Sequence, residues 1–165
     1  MNLQEYEKIK DYNYLEYCDY LQEKYGFGLC DYMTKNWNKN PKVTRTKDGL
    51  YVHHKYEDHA IMLSTKEYAM KNPYEWQLKE NLVYCDFLEH LLLHILICEK
   101  NPQRKMPKHL LWDVLWCITG KYPEAELHNS PATYQQDLEC YKKCVVGNMD
   151  VLKALLQKFK KIIAK

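Results

Sequence analysis

The chain has 165 residues, 46% of them hydrophobic and 28% charged, a composition that fits one globular domain and argues against disorder. Its formal net charge is +2, from 24 Lys and Arg against 22 Asp and Glu, so any nucleic-acid contact must fall to local basic segments rather than to a global field. The longest apolar run, Leu91 to Cys98, is interrupted by His94 and falls short of the ~20 residues of a membrane span, and the polar N-terminus lacks the apolar core of a signal peptide. The expectation is a cytoplasmic protein with no membrane partner. Seven cysteines, an odd count with no CxxC pair, read as reduced and mostly buried thiols.

In chain order, Tyr6, Ile9, Tyr14, Leu15, Cys18 and Leu21 recur at helical spacing and predict a helix from Leu3 to Tyr25, stopped by Gly26. A second short helix is expected from Leu29 to Trp37. The polar stretch NKNPKVTRTKDG, with Pro41 and Asp48-Gly49, reads as a loop with room for a short edge strand. Gly49 to Glu57 is the best strand, and His59 to Leu63 a second short one. Ser64 with Glu67 three residues on predicts a capped helix from Thr65 to Lys71, broken at Asn72-Pro73.

Tyr74 to Glu99 reads as mostly helical, with Asn81 to Cys85 extended or a turn. Its stretch FLEHLLLHILI is apolar nearly all round, which predicts a central, buried helix ended by Pro102 and Pro107. Helices over Lys108–Thr119, Pro131–Val146 and Met149–Ala164 follow. The last is amphipathic, with Val151, Leu152, Leu155, Leu156, Phe159, Ile162 and Ile163 on one face and lysines on the other.

Four of the seven histidines form a pattern. His90 and His94 lie four apart on the most apolar helix, hence on one face and one turn apart. A lone histidine in such a place is ordinarily a core residue with one hydrogen bond. Two of them each need a buried partner, at a cost of about 1–3 kcal/mol if none is found, and one shared cation satisfies both. His53 and His54 are adjacent on the strand, where neighbouring side chains point to opposite faces. One imidazole can then join a cation while the other stays free as a base.

HHKYED followed by NLVYCDFLEHLLLH resembles the HNH endonucleases of the ββα-metal superfamily, and most of all their three-histidine, colicin-DNase-like variant. The resemblance covers residues 49–100, with Asn81, His90 and His94 at intervals of nine and four after the His-His pair. It implies an α+β, mostly helical fold: a small β-hairpin plus helix at the centre, wrapped by flanking helices in 1–48 and 102–165, all in a single domain of residues 1–165. It also implies roles: His53, His90 and His94 as ligands of one divalent metal, His54 as general base, and Asn81 as a brace that bonds through its side chain to the backbone carrying His54. Asn81 reads equally as a turn residue or helix cap.

The stretch between His54 and Asn81 is longer than in compact members. No arginine lies within the motif, so Arg45, Lys42 and Lys55 are the candidates for holding phosphate. Glu57, Asp58 and His59 are either outer partners of the site or a solvated turn.

Three imidazoles favour Zn²⁺, Ni²⁺, Co²⁺ or Cu²⁺ over Mg²⁺ on affinity, while the family commonly works with Mg²⁺ or Mn²⁺. Zn²⁺ is expected to bind, with Mg²⁺, Mn²⁺ or Ni²⁺ as candidates for supporting activity. The resemblance implies DNA as substrate and phosphodiester hydrolysis as the reaction. The basic loop Lys35, Lys39, Lys42, Arg45 and Lys47, interleaved with Trp37, suits a phosphate backbone, and a solvated loop is its plain alternative. Two other readings compete. In one, the same scaffold serves as a non-catalytic binding protein, such as a phage-type inhibitor of a host defence system, with a protein partner. In the other, the histidines are structural and metal-free.

Overall fold

A computed structural model describes residues 1–107, 110, 111, 114 and 141–164. Its α-helices and strands are α1 (Leu3–Ile9), α2 (Tyr14–Tyr25), β1 (Tyr51–His54), α3 (Lys66–Ala69), β2 (Leu82–Cys85), α4 (Phe87–Lys100) and α5 (Met149–Ile163). The fold is α+β and mostly helical, with one small antiparallel sheet among the described residues. The chain forms two compact units, one of residues 11–85 and one of residues 1–10 with 86–165.

In the first unit the sheet pairs Tyr51 with Cys85, Val52 with Tyr84, His53 with Val83 and His54 with Leu82. All four β2 residues are buried. A strand covered on both faces carries no apolar–polar alternation, which is why LVYC does not announce itself as a strand. Helix α2 packs on β2, and the Gln22 amide donates to the carbonyls of Glu80 and Leu82 at 2.8 and 3.0 Å. Tyr84 Oη accepts from the Leu29 amide at 3.1 Å and donates to the Val43 carbonyl at 2.7 Å. Tyr32, Met33, Val43, Ala69 and Leu82 form a small core beneath.

Several elements differ from expectation. The helix foreseen over residues 3–25 is two helices, because Asn13 starts a new one. Its side chain accepts from the Leu15 and Glu16 amides while Glu16 accepts from the Asn13 amide. Gly26 ends α2 as expected, at φ +82°. Leu29 to Trp37 is not a helix. Here the chain runs beside residues 77–79, with the Gly28 amide on the Lys79 carbonyl and the Tyr32 amide on the Gln77 carbonyl.

His59 to Leu63 forms turns rather than a strand, and Met62 takes a left-handed backbone at φ +56°. The partner of β1 is instead residues 82–85. The capped helix expected over 65–71 is a single turn, 66–69, with Thr65 at its cap and no side-chain cap bond. Tyr74–Gln77 and Lys79–Asn81 are short 3₁₀ turns. In place of an edge strand the basic loop holds the 3₁₀ turns Pro41–Val43 and Thr46–Asp48 and two isolated bridges, Met33 with Lys39 and Arg45 with Leu50.

In the second unit α5 packs against α4 and α1. Asp86 caps α4 through a reciprocal pair with Glu89, and the ammonium of Met1 binds Asp86 at 2.5 Å with Glu89 at 3.9 Å. Helix α4 is buried along nearly its whole length, as its composition requires. Helix α5 also matches its expected span, with Val151, Leu152 and Leu155 buried. The helix expected over 108–119 lies largely outside the described residues, as does most of that over 131–146, of which residues 141–145 form a π-helical turn. Among the described cysteines Cys18, Cys85, Cys98 and Cys144 are buried, Cys30 is half-buried and all are free thiols.

Gly28 passes close to β2: an added Cβ would lie 2.9 Å from Leu82 Cδ1 and 3.0 Å from the Lys79 carbonyl. Because the second neighbour is backbone, Gly28→Ala is expected to destabilise the fold by about 1–3 kcal/mol. The midpoint of urea unfolding measures it, and an unmoved midpoint would mean that residues 79–82 yield without cost.

Candidate metal centre

The register of β1 decides how the two adjacent histidines divide. Both are 1% exposed, and alternation sends them to opposite faces. The His53 ring lies edge-on to Tyr14 of α2, whose hydroxyl is 2.9 Å from Nε2, while Glu57 Oε2 is 3.2 Å from Nδ1. The Tyr14 hydroxyl also reaches the His54 carbonyl at 3.3 Å, so one phenol grips both residues of the pair. Burial, reinforced by Cys18, Asp58 and Glu57, raises the Tyr14 pKa well above its usual value and keeps it a phenol.

His54 sits against Tyr32, with ring centroids 4.5 Å apart, and its Nε2 is 3.1 Å from Gln77 Oε1. Gln77 is fully buried and donates through its own amide to the Leu63 carbonyl at 3.2 Å. That donation orients the amide oxygen toward His54, so the hydrogen of the neutral imidazole belongs on Nε2 and the basic lone pair on Nδ1. Burial lowers the His54 pKa to about 4 against an opposing push from the Gln77 hydrogen bond, and the charge of Lys39 lowers it further. His54 is therefore neutral at neutral pH, the protonation state a proton acceptor needs.

On α4 the i, i+4 spacing brings His90 Nε2 and His94 Nε2 to 3.2 Å, with His94 buried and His90 half-buried. One ligand nitrogen from each of His53, His90 and His94 lies within 4.8 Å of the other two. Two nitrogens on one tetrahedral Zn²⁺ at 2.0–2.1 Å stand about 3.3 Å apart, so the His90–His94 separation already suits a shared cation. Three neutral imidazoles are also a donor set that Zn²⁺ and its neighbours accept. The chain thus carries a three-histidine group able to hold one metal ion.

The remaining sequence candidates fall differently. Asn81 ends the 3₁₀ turn just before β2, but its side chain donates to the Glu75 carbonyl at 2.7 Å. The tie to the chain beside His54 comes from its main-chain carbonyl, which accepts from the Lys55 amide at 2.9 Å. Arg45 binds Asp48 at 2.8 Å and the Tyr25 carbonyl at 3.0 Å, over the Tyr84 ring. Lys55 binds Asp19 at 2.5 Å. Lys42 is exposed, in the 3₁₀ turn Pro41–Val43. Asp58 is buried and pairs with His59 at 2.7 Å.

Sequence reasoning passed over Tyr14, Tyr32 and Gln77. Tyr14 looked like one more apolar-face residue of a helix, and a buried glutamine leaves no pattern. A two-stranded antiparallel ribbon running through one residue into a histidine-bearing helix is compatible with a ββα-metal arrangement. No family model, curated protein or solved structure matches the chain.

Untagged protein is expected to bind close to one equivalent of Zn²⁺, and His94→Ala to lose it. Tyr14→Phe removes a hydroxyl bonded to a ligand ring and is expected to weaken Zn²⁺ binding by about tenfold or more. Competition with a chromophoric chelator measures both. Full Zn²⁺ affinity in His94→Ala would remove the centre.

Proposed function

We propose that this protein is a metal-dependent endonuclease that hydrolyses phosphodiester bonds of DNA. The observation that carries the reading is the gathering of His53, His90 and His94 around one point, with His54 next to His53 in sequence but on the other face of its strand. His53, His90 and His94 would hold the cation, which when bound supplies Lewis-acid stabilisation of charge on the phosphoryl oxygens.

His54 is the general base: neutral at neutral pH, it takes a proton from water at Nδ1, because Nε2 is held by Gln77. The Gln77–Leu63 bond fixes the ring so that its orientation does not have to be found at each turnover. Tyr14 and Glu57 stand at the two nitrogens of the His53 ring, one of which would pass to the cation while the partner at the other orients the ring, and the Asn81 carbonyl holds the backbone just past His54. Partial exposure of His90 leaves a side on which solvent and phosphate can approach.

One observation favours a second reading. The His54 ring is 1% exposed and already bonded. In that reading the cation is structural and the scaffold is a non-catalytic binding protein.

Plasmid nicking decides between them. Metal-loaded protein is expected to relax supercoiled DNA with at least one of Mg²⁺, Mn²⁺, Ni²⁺ or Zn²⁺. His54→Ala is expected to keep its metal and lose about 10²–10⁴-fold in rate, the usual contribution of a general base. Metal-loaded, folded protein that nicks with none of the four leaves only the binding-protein reading.

A further inference from the structure

The segment from Thr34 to Lys47 contains five basic residues and no carboxylate. The structure divides four of them, Lys35, Lys39, Lys42 and Arg45. Arg45 is engaged with Asp48, the Tyr25 carbonyl and the Tyr84 ring, which makes it part of the fold. Lys35 and Lys39 are exposed and held in another way. Lys35 Nζ lies 3.6 Å from the centroid of Tyr74, and Lys39 Nζ lies 5.2 Å from that of Tyr32. Neither has a carboxylate within ion-pair distance among the described residues, and neither does exposed Lys42.

A ring face restricts where an ammonium sits without neutralising it. Both lysines therefore keep a full charge and N–H donors for a ligand, with part of the ordering cost of binding already met by the fold.

The backbone beneath them is stapled. The Asn40 amide binds the Tyr32 carbonyl, the Thr34 amide binds the Asn38 carbonyl, and Met33 bridges Lys39. The Tyr74 hydroxyl donates to the Met33 carbonyl at 2.8 Å, so the ring under Lys35 is itself anchored to this turn. Trp37 stands at φ +58°, a left-handed conformation that is costly for a bulky side chain, and its ring meets Tyr74 edge-on at 5.4 Å. Tyr32, which carries Lys39 on its ring, also packs on His54.

We propose that Lys35 and Lys39, presented on Tyr74 and Tyr32, form a binding edge for the phosphate backbone of DNA, with Lys39 placing a phosphate on the His54 side of β1. Lys42 extends the edge. The assignment moves phosphate contact away from Arg45 and Lys55, whose charges are already matched. It deepens the endonuclease reading and rests on it for the role of His54, but the binding edge itself needs no turnover.

Fluorescence anisotropy with a labelled DNA duplex, in EDTA and over a series of salt concentrations, is the test. Each phosphate contact contributes about 0.9 to the slope of log K against log salt for duplex DNA. The double variant Lys35→Gln, Lys39→Gln is expected to bind more weakly and to lower that slope by about 2, while Lys66→Gln, an exposed charge elsewhere in the same unit, leaves it unchanged. Circular dichroism confirms that the variants fold.

An unchanged slope in the double variant overturns the proposal. So does an equal loss in Lys66→Gln, which would mean that net charge alone is read. Protein that binds DNA through these lysines and never nicks a plasmid refutes the nuclease reading alone. Protein that nicks while the double variant keeps its salt slope refutes the binding edge alone.

Discussion

The antiparallel register that sets His53 opposite Val83 and His54 opposite Leu82 is the constraint on which the candidate centre depends. Period-two alternation makes the two imidazoles unlike each other, and a shift of one residue would exchange their surroundings. His53 would then lose Tyr14 and Glu57, and His54 would lose Tyr32 and Gln77. The strands are four residues each, too short to hold a register by ladder bonds alone. Side chains fix it instead: Gln22 binds the carbonyls at the start of β2, and the buried Tyr84 ties its end to Leu29 and Val43.

Burying two imidazoles on one short strand is costly unless their nitrogens are matched, and the matches explain much of the local chain path. Gln77 is carried to His54 by a 3₁₀ turn, and its amide is satisfied in turn by Leu63, so the long connection between β1 and β2 is anchored twice on the site it encloses. The length of this connection thus has a structural use. It supplies the partner that a buried His54 needs.

The helical parts of this protein were legible where one residue pattern acted locally. The apolar run of α4, its end before Pro102 and the amphipathic face of α5 follow from periodicity and caps. Asn13 and Glu16 form a capping box that a continuous apolar spacing hides, so one expected helix became two. Strand β2 was ambiguous because burial on both faces erases alternation. Met62 shows the converse: a segment rich in apolar residues turns, with Met62 in a left-handed conformation and both Ile61 and Met62 exposed. The four histidines were legible as a set because their spacings carry geometry by themselves. Tyr14, Tyr32 and Gln77 were not, since each reaches its histidine across more than twenty residues with no repeating pattern to mark it.

Charge follows the same division between local and distant effects. A net charge of +2 predicts weak steering of any polyanion, yet net charge does not describe what a ligand meets at close range. Arg45, Lys55 and Lys158 are spent on Asp48, Asp19 and Glu99. Lys35 and Lys39 rest on aromatic rings, which hold them in place and leave their charge intact. With a screening length of about 8 Å at physiological salt, a polyanion feels these local cations more than the acids that lie beyond that distance, and Asp31, beside Tyr74, is an acid near enough to offset part of the charge of Lys35. A nearly neutral protein can in this way keep one strongly basic edge, and the edge falls on the element that packs against His54.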